Sequence, residues 1–190
     1  MRFPGLAAML NRVWQIAYIG LGSNLHSPAG TPPETVVAAA ESLATIGSVV
    51  ARSSLYRTEP VGYKDQPAFV NAVVGLRTDH GPEKVLESLL AIERTFGRDR
   101  RTAIAKGPRT LDLDLLLMGD VVCDSPTLVV PHPELQHRRF VLAPLEEIAA
   151  EAVHPVMGRT VRELLAELPD VGANSRRAVQ LLGPMRARRA

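Results

Sequence analysis

Lys106-Gly107-Pro108-Arg109-Thr110-Leu111-Asp112-Leu113-Asp114-Leu115-Leu116-Leu117 joins a basic loop to a hydrophobic run that carries two carboxylates. Side chains alternate between the two faces of a strand. Leu111, Leu113, Leu115 and Leu117 therefore share one face, and Asp112, Asp114, Leu116 and Met118 share the other. The two acids lie about 6.6 Å apart along the strand and can address one ligand. Unpartnered like charges on a mostly apolar strand cost stability. Two kinds of partner are open: arginines of the preceding loop, or a hard divalent cation.

The elements upstream of this strand set the fold class. Pro82 to Phe96 reads as a helix stopped by Gly97. Phe69 to Thr78 and Ser48 to Thr58 read as strands, separated by a loop with Pro60, Gly62 and Pro67. Thr31-Pro32-Pro33-Glu34 announces an earlier helix with a capping box and a proline in its first turn, and Gly47 ends it. Gln15 to Gly20 is the first strand, closed by Gly20-Leu21-Gly22. The order β-α-β-β-α-β predicts an α+β, ferredoxin-like core, an antiparallel sheet with helices on one face. Downstream, a helical pattern over Arg138 to Ile148 and a capping box at Thr160 and Glu163 add C-terminal helices. One domain over 15–169 is expected, with a loose tail over 1–14 and a basic, disordered tail over 170–190.

The chain has 190 residues, 46% hydrophobic and 22% charged, and no apolar run long enough to span a bilayer. Pro4 breaks the short apolar stretch at the N-terminus, which does not read as a signal sequence. A single cysteine, Cys123 in Val121-Val122-Cys123, suits a reducing compartment and a buried small apolar side chain, so a cytoplasmic protein is expected. The net charge of +2 belongs to the tails, because 170–190 holds five arginines against one acid and the folded segment is net acidic. A nucleic-acid-binding body would carry its positive charge on the fold itself. Within the body, cations gather between Arg94 and Arg109, with Arg98, Arg100, Arg101 and Lys106, opposed by Asp99 alone. That density suits a polyphosphate.

Glu93 falls at the edge of the apolar stripe of Leu86, Leu89, Leu90 and Phe96, where it either pairs with a nearby arginine or grips a polar ligand. Gly20-Leu21-Gly22-Ser23-Asn24 after a strand invites a dinucleotide-binding reading. The third glycine is missing and the helix begins about ten residues later, so a tight turn that lets backbone pass close to a neighbour is the better account.

Several segments together resemble the 6-hydroxymethyl-7,8-dihydropterin pyrophosphokinase family. They are Ala17-Tyr18-Ile19-Gly20-Leu21-Gly22-Ser23-Asn24, Leu55-Tyr56-Arg57-Thr58-Glu59-Pro60, Asp65-Gln66-Pro67 with Phe69 and Asn71, and Ile92-Glu93 with Gly97-Arg98. Gly107-Pro108-Arg109-Thr110-Leu111-Asp112-Leu113-Asp114 and Pro131-His132-Pro133 running on to Arg138-Arg139-Phe140-Val141-Leu142 complete the set. The resemblance covers about 16–168. It implies transfer of pyrophosphate from ATP to the hydroxymethyl group of the pterin, releasing AMP, in folate biosynthesis.

By the same resemblance, Asp112 and Asp114 hold two Mg²⁺ ions, and Arg98 and Arg109 are catalytic, steadying charge on the moving group. Val61, Phe69, Asn71 and Phe140 bind the pterin, and Glu93, Arg100, His132 and Arg138 bind ATP. The segment from Gly97 to Lys106 closes over ATP. A monomer is expected, with ATP and the pterin as its partners and neither nucleic acid nor membrane. Ala105 and Lys106 depart from the family, which often has a basic and an aromatic residue there. Two other readings use the same fold: a nucleotidyltransferase, which would release pyrophosphate, and an RNA-binding module, which would want exposed aromatics on central strands and a basic body.

Overall fold

The computed structural model describes residues 13–100 and 106–186. In chain order the elements are β1 (Gln15–Ser23), α1 (Pro32–Ser42), β2 (Ser48–Arg52), β3 (Ser54–Thr58), β4 (Phe69–Thr78), α2 (Pro82–Thr95) and β5 (Asp112–Met118). Then follow β6 (Cys123–Asp124), β7 (Val129–Val130), α3 (Arg139–Ala149), β8 (Val153–His154), β9 (Arg159–Thr160), α4 (Val161–Glu167) and β10 (Val179–Pro184). The main sheet has the order β10-β3-β4-β1-β5, with β2 also pairing β4, and its pairs are antiparallel. The β5-β1-β4-β3 core is the expected ferredoxin-like arrangement.

Both capping boxes form. Glu34 accepts from the backbone N–H and the hydroxyl of Thr31, and Glu163 does the same for Thr160. Each satisfies N–H groups that a helix start leaves open.

Helices cover both faces of the sheet, where one covered face was expected. α1 and α2 bury Val36, Ala40, Val85, Leu89 and Ile92 against Ala17, Ile19, Leu21, Leu113 and Leu115. α3 and α4 form a second core opposite, in which Leu142, Leu145 and Leu164 meet Val73, Leu116 and Leu117. The C-terminal additions are thus a structural layer, needed because β4 and β5 are apolar on both faces.

Four local expectations are corrected. β1 continues through Gly20-Leu21-Gly22 to Ser23, so these glycines lie inside a central strand and form no turn. The segment 48–58 divides at Ser53, whose side-chain oxygen accepts from Val73 N–H while its own N–H donates to the Val73 carbonyl. On β5, Tyr18 faces Leu117 and Ile19 faces Leu115, which leaves Leu116 as an additional residue. Such a bulge puts neighbouring side chains on one face, and Leu116 and Leu117 both enter the second core while Met118 returns to the first. Finally, the tail expected to be disordered from 170 onward forms two 3-10 turns, at Gly172–Asn174 and Arg176–Ala178, and then β10.

Candidate active site

The sheet register builds the site. Asn71 on β4, Gly22 on β1 and Asp112 on β5 form one row across three strands, and Val73, Gly20 and Asp114 form the next. Two-residue alternation puts both rows on the face toward α3. Glycine in the central column leaves a trough where side chains would otherwise stand. A Cβ on Gly22 would meet Asn71 Oδ1 at 2.8 Å, and one on Gly20 would meet Leu116 at 3.3 Å. Above this floor lies a cavity of about 190 Å³, whose walls include Val61, Phe69, Asn71, Phe140, Arg109 and Arg138 together with both acids. The two glycines, expected in a turn, line the cavity, a placement that only strand pairing exposes.

The arginine partner is realised at Asp112, and Asp114 differs from it. Asp112 is paired with Arg98 at 3.1 Å and Arg109 at 2.7 Å. The Asp114 carboxyl is pushed up to about 7, chiefly by burial and then by the charges of Asp112 and Glu93. A site that resists its own second negative charge fits a hard cation. Among the described residues no third His, Cys, Asp or Glu completes a metal cluster. Further ligands would then have to be oxygens from outside the chain, as Mg²⁺ commonly takes from phosphates and water.

Arg98 and Glu93 lie behind the cavity wall. The Arg98 side chain is 10% exposed and also donates to the Leu111 carbonyl, so it braces Asp112 and the start of β5. Glu93 is 1% exposed. Its carboxylate accepts from Leu113 N–H at 2.9 Å and from Arg100 Nε and Nη2 at 2.8 Å. The arginine-pairing alternative therefore holds, and the carboxylate expected to contact ATP anchors β5 and Arg100. His132 also stands off the wall. Its N–H donates to the Leu116 carbonyl and its Nδ1 accepts from Glu134 N–H. Burial and then the Arg138 cation lower its pKa, favouring the neutral ring.

The remaining predicted residues converge. Phe69 sits under the Arg109 guanidinium at 5.4 Å, and Phe140 under that of Arg138 at 5.8 Å. These are cation–π distances. Asn71 donates through Nδ2 to Thr58 Oγ at 2.6 Å, which directs Oδ1 toward the trough beside Gly22. Lys106 lines the cavity at a positive φ of 57°. Ala105 lies outside the described residues, as does Arg101 with half of the segment expected to close over ATP.

Asn24, buried to 3% exposure, joins separate walls. Its Oδ1 accepts from Arg109 N–H, and its Nδ2 donates to Gln66 Oε1 and the Pro67 carbonyl. Gln66 in turn donates to the Lys106 carbonyl. The motif Gly-Ser-Asn was visible in the sequence, but the clamp joins segments more than forty residues apart and emerges only on folding.

A trough on a ferredoxin-like α+β sheet, lined by paired carboxylates and by arginines that lie over aromatic rings, defines a small-molecule site of the phosphate-handling class. The particular family follows from sequence. The model of the 7,8-dihydro-6-hydroxymethylpterin-pyrophosphokinase (HPPK) family matches residues 18–150, and the chain belongs to that family. The 2-amino-4-hydroxy-6-hydroxymethyldihydropteridine pyrophosphokinase of Pseudomonas aeruginosa is 44% identical over 160 residues, 83% of this chain and 94% of that protein. The folic acid synthesis protein fol1 of Pneumocystis carinii is 39% identical over 157 residues, 82% of this chain. The chain spans only about a fifth of the length of that fungal protein. Among solved structures, Plasmodium falciparum HPPK-DHPS A437G with pteroate has a TM-score of 0.65 at 15% identity, covering 93% of this chain and 48% of that one. That likeness bears on the fold. No helix among the described residues is long and apolar enough to cross a membrane.

Proposed function

We propose that this chain transfers the terminal pyrophosphoryl group of ATP to the hydroxymethyl oxygen of 6-hydroxymethyl-7,8-dihydropterin. The hydroxymethyl oxygen bonds to the β-phosphorus, and the bond from that phosphorus to the oxygen bridging the α-phosphate breaks. AMP leaves, and the hydroxyl proton passes to solvent. The observation that carries this reading is the row Asn71–Gly22–Asp112, which sets an amide for a flat, polar-edged ring one glycine's width from a carboxylate suited to a cation.

The pterin lies in the trough, with Phe69, Phe140 and Val61 supplying apolar wall and Asn71 Oδ1 meeting a ring donor. Asp112 and Asp114 would hold two Mg²⁺ ions, which when bound neutralise the polyphosphate and polarise its oxygens. Arg109 and Arg138 meet phosphate oxygens with planar guanidinium forks. Arg98 holds Asp112 in place, and Glu93 holds Arg100 on the ATP side. A monomer in the cytoplasm completes the proposal, in keeping with one free cysteine.

The test is to incubate the protein with ATP, Mg²⁺ and the dihydropterin and to identify the nucleotide product. Pterin-dependent AMP, absent when Mg²⁺ is chelated, is the expected result. Release of pyrophosphate without AMP overturns the proposal and favours nucleotidyl transfer.

A further inference from the structure

The segment beyond the family match grips two walls of the cavity. At one wall, β10 pairs with β3, setting Val179 opposite Thr58, and Glu59 N–H donates to the Ala178 carbonyl at 3.1 Å. Thr58 is the hydroxyl that orients Asn71, and Thr58 and Glu59 both line the cavity. At the other wall stands the first turn of α3, where Arg138 and Phe140 also line the cavity and flank Arg139. Arg138 occupies the cap position without a side-chain cap, which leaves the Arg139 N–H to be satisfied from elsewhere. Asn174 does so across 35 residues of chain. Its Oδ1 accepts from Arg139 N–H at 3.0 Å, its carbonyl accepts from Arg139 Nε, and its Nδ2 donates to the His137 carbonyl at 2.9 Å. The Arg139 guanidinium, largely buried, also donates to the Leu168 carbonyl.

We propose that residues 170–184 form a strap that sets the width of the acceptor cavity, with Asn174 as the positioning residue for Arg138 and Phe140. Asn174 is not among the cavity-lining residues and acts through the helix start it caps. Its substrate effect rests on the proposed pyrophosphoryl transfer; its structural effect does not. Removing the cap frees the α3 N-terminus, so Phe140 and Arg138 lose their set positions while the sheet keeps its own hydrogen bonds.

The experiment compares wild-type protein with N174A and N174D by steady-state kinetics and by amide hydrogen exchange. N174A raises KM for the dihydropterin roughly tenfold with kcat changed less than threefold, the pattern of lost positioning without lost chemistry. Without substrate, N174A speeds exchange at Arg139 but not on β1 or α2. N174D keeps the acceptor on Arg139 N–H but loses the donor to the His137 carbonyl, and recovers part of the Arg139 protection and of KM relative to N174A. The inference is overturned by unchanged Arg139 exchange, by a uniform loss of protection that marks general destabilisation, or by N174D behaving like N174A. If the wild-type protein forms no AMP, the proposed activity fails, and the exchange data alone decide whether the strap exists.

Discussion

Toward α1 and α2, β1 presents Ala17, Ile19 and Leu21, each no more than 2% exposed, whereas toward α3 and α4 it presents Tyr18, Gly20 and Gly22. The first face is a dry core. The second is in part a core, where Leu116, Leu142 and Leu145 meet, and in part a trough. One strand therefore does both jobs by switching from large to absent side chains on alternate positions. Substitutions on the first face should act on stability, and those over the trough on chemistry and binding.

The sharpest way to break this contrast is Asp112→Ala or Asp114→Ala, each expected to lower kcat by about a thousandfold or more with the fold intact, since charge neutralisation carries phosphoryl transfer. Near-normal turnover with Mg²⁺ in either variant would remove the metal assignment. On the dry face, Leu89 is fully buried, and Leu89→Ala should cost about 3 kcal/mol in denaturant unfolding. Among the fraction that stays folded, its KM values should match the wild type.

Gly22→Ala sits between these. Its new Cβ would displace Asn71 Oδ1, now 2.8 Å from that point, and calorimetric affinity for the dihydropterin should fall about tenfold with little change in Tm. Unaltered affinity would mean that the trough is not the acceptor site.

The smallest expected effect concerns pH. Asp114 titrates near 7 in the fold, raised by burial and then by neighbouring carboxylates, against about 4 in the unfolded chain. The folded state holds this proton more tightly, so the stability it contributes is complete below about pH 4 and is lost as pH rises through about 7. Asp114→Asn cannot ionise. In Mg²⁺-free buffer at pH 8 it should be more stable than wild type by roughly 1–2 kcal/mol, and at pH 4 the two should coincide. An equal gap at both pH values would show that the carboxylate carries no such strain.

Local chemistry was legible where it repeats with a period or sits at a helix end. Both capping boxes, the α2 stop at Gly97 and the shared face of Asp112 and Asp114 follow from neighbours within four residues. Phe69, Asn71 and Phe140 came from family resemblance and meet at one cavity. Less visible was anything that depends on a distant strand. The bulge at Leu116 arises from register with β1, and the division at Ser53 from its bonds to Val73. Spacing alone leaves Glu93 either an arginine or a polar ligand as partner, and Arg100 and Leu113 take it because α2 packs beside β5.

By itself, the sequence determined the order of helices and strands in the core from β1 to β5, the alternation that puts two acids on one face, and the family to which the chain belongs, because these rest on residue type and short spacing. Tertiary structure alone decided that Gly20 and Gly22 hollow the sheet, that Arg98 and Glu93 brace the site from behind, and that the C-terminal segment returns to its walls. Those outcomes depend on strand register and on hydrogen bonds between segments remote in sequence, which no local period encodes.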